Sequence, residues 1–80
     1  MSKTKNPNVC IVGFGYVGCV LGAVLAERGL DVTGIEPDRR IREAVAAGTS
    51  PFNETGLEDL IAGGRRTGHL NVTDRYEAVA

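Results

Sequence analysis

Residues 9–29 read VCIVGFGYVGCVLGAVLAERG, and their reading decides the fold. Val9-Cys10-Ile11-Val12 is an apolar run without polar alternation, the pattern of a parallel-sheet strand covered on both faces. Val17, Val20, Leu21, Val24 and Leu25 then recur at helical spacing, which predicts a helix from Tyr16 to Arg28 with Gly29 as its stop. Between the two lies G-F-G-Y-V-G. In a strand-to-helix turn each glycine has its own task. Gly13 permits the tight turn out of the strand, Gly15 lets a pyrophosphate approach the backbone, and Gly18 lets the helix lie close on the sheet. The unpaired N–H groups of the helix's first turn, at its positive dipole end, then face the phosphates.

Downstream, Asp31 to Glu36 reads as a second strand, closed by Pro37, which offers no N–H to a ladder. Asp38 caps a helix whose Ile41, Ala44 and Val45 share a face, with Gly48 just beyond it. Thr49 to Gly56 is a turn-rich connection. A short helix is expected over Leu57 to Ala62, broken by Gly63-Gly64, followed by a polar stretch from Arg65 to His69, a weak strand over Leu70 to Thr73 and a last helix capped by Asp74. Strands alternating with helices imply right-handed parallel crossovers and an α/β layered fold. Glu36 ends the second strand, where a carboxylate can accept from both hydroxyls of an adenosine ribose and repels a 2′-phosphate; this favours NAD over NADP. The bland alternative is a merely tight turn with Glu36 as a solvated strand end. Arg39, Arg40 and Arg42 raise the opposite, NADP reading, since arginine after the second strand can hold a 2′-phosphate. They read rather as a solvated helix face with one member near the adenine or ribose.

Eighty residues allow one domain at most, and nine basic against ten acidic residues leave a formal charge of −1. Such a balance offers no basic stripe to nucleic acid or an anionic membrane. The apolar stretch from Val9 to Ala26 is interrupted by glycines and is a poor membrane span, and the polar N-terminus is no ordinary signal peptide, so the expected compartment is the cytoplasm. Cys10 and Cys19 have no metal-ligand spacing and read as two buried reduced thiols. His69 is expected at the surface without a partner. Ser50, Thr55 and Asp59 form no nucleophile–base arrangement, and Glu54 with Glu58 reads as exposed charge. No catalytic or metal-ligating residue is assigned.

IVGFGYVG, LAERGLDVTGIEPD, AAGTSPFNETGLEDL and RRTGHL together resemble the amino end of the nucleotide-sugar 6-dehydrogenases, the UDP-glucose and GDP-mannose dehydrogenases. S-P-F-N-E-T-G-L is similar to a family signature that has no role in a generic glycine turn, and R-R-T-G-H-L leans towards the GDP-mannose branch. The resemblance implies an NAD site built from Gly13, Phe14, Gly15, Tyr16, Val17 and Gly18 around the pyrophosphate, with Glu36 at the ribose and Arg40 beside it. Glu36 stands where the family usually has Asp, Ile41 where it has Lys or Arg, and Thr55 where it has Pro. The family's catalytic cysteine lies far downstream and matches neither Cys10 nor Cys19. The implied fold is a Rossmann-like half-domain, a three-stranded parallel sheet in the order 3-2-1 with flanking helices. Residues 1–80 are then expected to be the amino-terminal piece of an NAD-binding domain, marginally stable and weak in NAD binding alone. The full-length protein would act on a nucleotide sugar as a homo-oligomer. G-F-G-Y-V-G and I-E-P-D also resemble the regulatory nucleotide-sensing modules of potassium transport, which bind without catalysis; these lack the S-P-x-x-E-x-G-L stretch.

Overall fold

The structure, a computed structural model, describes residues 8–75. β1 (Asn8–Val12), β2 (Asp31–Ile35) and β3 (Leu70–Thr73) form one parallel sheet in the order β1-β2-β3, the three-stranded arrangement expected from the sequence. α1 (Tyr16–Glu27) joins β1 to β2, and α2 (Arg39–Ala46) with α3 (Leu57–Thr67) joins β2 to β3. Both crossovers advance the same way across the sheet, so right-handed connection brings their helices to one face. There α1 lies against β2 and α3, while α2 packs on β3.

The register fixes which side chains meet the helices. Val9 pairs with Val32 and Val32 with Leu70, while Ile11 pairs with Gly34 and Gly34 with Val72. Val32 and Leu70 are fully buried, and Val9, Ile11 and Val72 border the same core, which Phe14, Cys19, Ala23, Ala26, Val45, Leu57 and Ile61 complete. The opposite row of β1 is open: Cys10 is exposed and Val12 is 62% exposed. β1 is thus covered on one face by the described residues, not on both as its unbroken apolar run predicts. The two thiols part company for the same reason. Cys19 lies in the core, where burial pushes its thiol up to about 11, whereas Cys10 faces out.

α3 departs from its expected end. It continues through Gly63-Gly64 to Thr67, because tertiary contact outweighs the roughly 1 kcal/mol that a helical glycine costs. Gly64 is buried, and a Cβ there would lie 2.7 Å from the Leu70 Cβ and 3.4 Å from that of Ala26. Glycine is what lets α3 come this close to β3 and α1. The helix stops at Gly68, whose φ of +84° turns the chain into β3. The other helices end near their expected positions. Asp38 caps α2 by accepting from the Arg40 N–H at 2.9 Å, and α1 gives way to Gly29 after Arg28. The last helix expected after Asp74 lies outside the described residues.

Candidate dinucleotide site

β1 delivers Gly13 to the carboxyl edge of the sheet, where its N–H donates to the Ile35 carbonyl at 2.7 Å. Its φ of +91° is a conformation that side chains resist, so glycine sets the turn. Phe14 then points inward. Its ring is fully buried between Gly22 of α1 and Gly34 of β2, where a Cβ on either would approach a ring carbon to 2.6 Å. Its backbone N–H donates to Glu36 Oε1 at 2.6 Å. Phe14 therefore serves the turn as a core plug and gives its amide to the protein.

Glu36 is only 6% exposed, and its Oε2 accepts from the Asp38 N–H at 2.8 Å. It is no solvated strand end: one carboxylate joins the glycine turn to the start of α2. Each oxygen holds one N–H and keeps a further lone pair for a ligand hydroxyl.

Gly15 is the N-cap of α1 and supplies no side-chain cap. The Cys19 N–H reaches the Gly15 carbonyl at 2.8 Å, which leaves the N–H groups of Tyr16, Val17 and Gly18 with no carbonyl behind them in the helix. A Cβ on Gly15 would meet nothing within 4 Å, whereas one on Gly18 would run into the Gly13 carbonyl oxygen. The turn is thus open on its outer side and close-packed on its inner side. Tyr16 and Val17 flank the opening at 48% and 75% exposure. An uncapped helix start beside an open glycine suits a phosphate group, so the residues present fit a dinucleotide.

The S-P-F-N-E-T-G-L loop comes to the same place. Tyr16 Oη donates to Glu54 Oε1 at 2.7 Å, and the Tyr16 and Phe52 rings meet edge to face with centroids 5.8 Å apart. The hydrogen bond to Glu54 holds the Tyr16 phenol above its ordinary value. Reading Glu54 as exposed charge misses this partner; the signal for it is the second motif itself, which a generic glycine turn does not need.

The remaining polar residues sort by what they touch. Arg42 Nη1 donates to the Glu36 and Pro37 carbonyls at 2.9 and 2.8 Å, and its Nη2 lies 3.8 Å from Asp74 Oδ2, which commits its guanidinium to contacts within the protein. The Arg40 side chain is 92% exposed, and its Nε makes a long ion pair with Asp38 Oδ1 at 3.9 Å. Ile41 borders the core. Ser50 Oγ donates to the Phe52 carbonyl and accepts from the Phe52 N–H, so it is spent on its own turn. His69 is not partnerless as expected: its Nδ1 lies 2.8 Å from Asp31 Oδ1, joining the starts of β3 and β2 at the end of the sheet away from the glycine turn. Among the described residues no group of side chains could hold a metal ion.

Strand, open glycine turn, helix, second strand and buried terminal acid define a nucleotide-binding α/β domain of Rossmann type. The chain belongs to the UDP-glucose/GDP-mannose dehydrogenase family, and its residues 7–80 match that family's NAD-binding domain. It is 40% identical over 70 residues to UDP-glucose 6-dehydrogenase YwqF of Bacillus subtilis, covering 88% of this chain and 16% of the relative. To GDP-mannose 6-dehydrogenase of Pseudomonas aeruginosa it is 38% identical over 69 residues, covering 86% and 16%. A crystal structure of a ternary complex of GDP-mannose dehydrogenase from P. aeruginosa matches with a TM-score of 0.85 at 37% identity, over 88% of this chain and 16% of that one. A UDP-glucose dehydrogenase from Pyrobaculum islandicum matches with a TM-score of 0.85 at 28% identity, over 92% and 17%. The chain thus spans 16% of the length of these two curated relatives. The family match decides for the dehydrogenase resemblance over the regulatory module of potassium transport.

Proposed function

We propose that Gly13 to Gly18 and Glu36 hold NAD for a nucleotide-sugar 6-dehydrogenase that oxidises UDP-glucose or GDP-mannose to the uronate. The observation that carries this reading is the division of the turn into an open outer side at Gly15 and a packed inner side at Gly18. The N–H groups of Tyr16, Val17 and Gly18 receive the pyrophosphate, which Gly15 admits to the backbone. Gly13 and Phe14 hold the turn's shape, and Glu36 accepts from the ribose hydroxyls through its free lone pairs. Arg40, exposed in its long ion pair with Asp38, lies over the adenosine. When bound, NAD supplies the hydride acceptor. We assign no catalytic role to the described residues; of the two thiols, Cys19 is enclosed in the core and Cys10 faces out from β1.

Residues 1–80 thus serve as part of an NAD-binding domain, and the full-length protein works on its nucleotide sugar as a cytoplasmic homo-oligomer. The near-neutral charge gives no attraction to nucleic acid or an anionic membrane. Among the described residues no helix is long and apolar enough to cross a membrane.

Titration with NAD and with NADP, followed by amide NMR shifts so that millimolar affinities are visible, tests the reading. NAD should move the amides of Gly13 to Gly18 and Glu36, and NADP should bind at least about tenfold more weakly, since its 2′-phosphate meets the Glu36 carboxylate. Equal affinities, or shifts that leave these amides unmoved, overturn it.

A further inference from the structure

Two glutamates grip the two aromatic residues on either side of Gly15. Glu36 takes the Phe14 N–H from the β2 side at 2.6 Å, and Glu54 takes the Tyr16 phenol from the α2–α3 loop at 2.7 Å. The first grip belongs to the cofactor site proposed above. The second uses the loop motif that the cofactor reading leaves without a task.

That loop is built to hold its shape. Gly48 and Gly56 bound it at φ of +81° and +84°. Within it, Ser50 Oγ closes a turn onto Phe52, the Ser50 N–H donates to Glu58 Oε1 at 3.3 Å, and the Leu57 N–H donates to the Glu54 carbonyl at 3.1 Å. It therefore presents Phe52 and Glu54 to Tyr16 as one unit, ring edge to ring face and carboxylate to hydroxyl. Tyr16 is the first residue of α1, whose first turn has no side-chain cap and no acidic residue of its own. An uncapped helix start frays unless something outside the helix holds it.

We infer that Glu54 and Phe52 are positioning residues for the dinucleotide: by holding Tyr16 they fix the first turn of α1, so that its N–H groups are already aligned when the pyrophosphate arrives. The inference rests on the NAD reading. Its gain is preorganisation, since a turn that is already ordered loses less freedom on binding. The raised pKa of Tyr16, with Glu54 as the charged group that faces it, gives a readout of the contact that needs no cofactor.

The test uses the full chain carrying Tyr76→Phe, which leaves Tyr16 as the only tyrosine, with Glu54→Gln, Glu54→Ala and Tyr16→Phe added singly and Glu54→Ala combined with Tyr16→Phe. Phenol titration should show the Tyr16 pKa falling towards its ordinary value in Glu54→Ala. NAD titration by amide NMR, at a temperature where circular dichroism shows every variant folded, should show affinity falling about three- to tenfold in Glu54→Ala and in Tyr16→Phe. Glu54→Gln, which keeps an acceptor, should recover most of the loss. The double variant should be no weaker than either single one, because both remove the same contact. An unchanged phenol pKa in Glu54→Ala, or NAD affinity equal to the parent in both single variants, overturns the inference while leaving the NAD reading intact. If the parent binds NAD no better than Gly15→Val, the NAD reading fails and the inference falls with it.

Discussion

At Gly15 an added Cβ would find nothing within 4 Å, whereas at Gly34 it would lie 2.6 Å from the Phe14 ring, and at Gly18 it would strike the Gly13 carbonyl. The three positions lie close together around one turn, yet the absence of a side chain means opposite things at them. At Gly18 and Gly34 the protein's own atoms fill the space, so glycine is a packing residue. At Gly15 the protein leaves the space unfilled, which is the room the proposed pyrophosphate needs. A fingerprint of alternating glycines therefore combines a folding requirement with a binding requirement, and the two can be separated by substitution.

The largest effect should come from Gly18→Ala. Its methyl would collide with backbone, which cannot swing away as a side-chain end can, so the cost should reach the upper part of the usual overpacking range, about 3 kcal/mol. For a domain of this size that is a fall in Tm of roughly 12–24 °C. Gly15→Ala, by contrast, should cost less than about 1 kcal/mol, the price of a poorer N-cap, while weakening NAD binding at least about tenfold. Melting curves and NAD titrations on the two variants check this. A Gly18→Ala protein as stable as the parent, or a Gly15→Ala protein that binds NAD equally well, would break the distinction between filled and open glycines.

Glu36 joins the two roles that the glycines keep apart. Its carboxylate satisfies the Phe14 and Asp38 N–H groups and faces the proposed ribose position. Glu36→Ala should therefore lose stability as well as cofactor, by about 2 kcal/mol for the amides left unpaired. Glu36→Gln keeps one acceptor but turns an NH₂ towards a second N–H donor, and should fall between. Chemical denaturation followed by circular dichroism gives the order: parent, then Gln, then Ala. If Glu36→Ala melts like the parent, the carboxylate is no brace and serves the ligand alone.

Much of this arrangement is legible in the sequence because it is local. The β1 turn, the periodicity of α1 and the Asp38 cap follow from residues within a few positions of one another, and the strand order is what the family resemblance implies. What escapes sequence reading depends on which surfaces meet. Gly63-Gly64 reads as a helix break because propensity is a local quantity, and only the approach of Leu70 and Ala26 shows why α3 keeps Gly64. Cys10 reads as buried because an apolar run does not say how many faces of a strand are covered. The contact between Glu54 and Tyr16 spans 38 positions, and the sequence marks it only as a motif without a task.

A second pair 38 positions apart supplies the smallest expected effect. His69 and Asp31 meet at 2.8 Å at the far end of the sheet, with side chains 27% and 42% exposed, so water screens the contact and repays much of its loss. Glu36, at 6% exposure, has no such compensation. His69→Ala should therefore cost only about 0.5 kcal/mol, a Tm shift of roughly 2–4 °C, and should leave NAD binding at the opposite end unchanged. A double-mutant cycle with Asp31→Ala isolates the pair from packing losses at each residue. A coupling energy above about 1.5 kcal/mol would exceed what a solvent-screened pair gives. It would mean that the two ends of the sheet are braced alike, and that burial is not what separates the glutamate from the histidine.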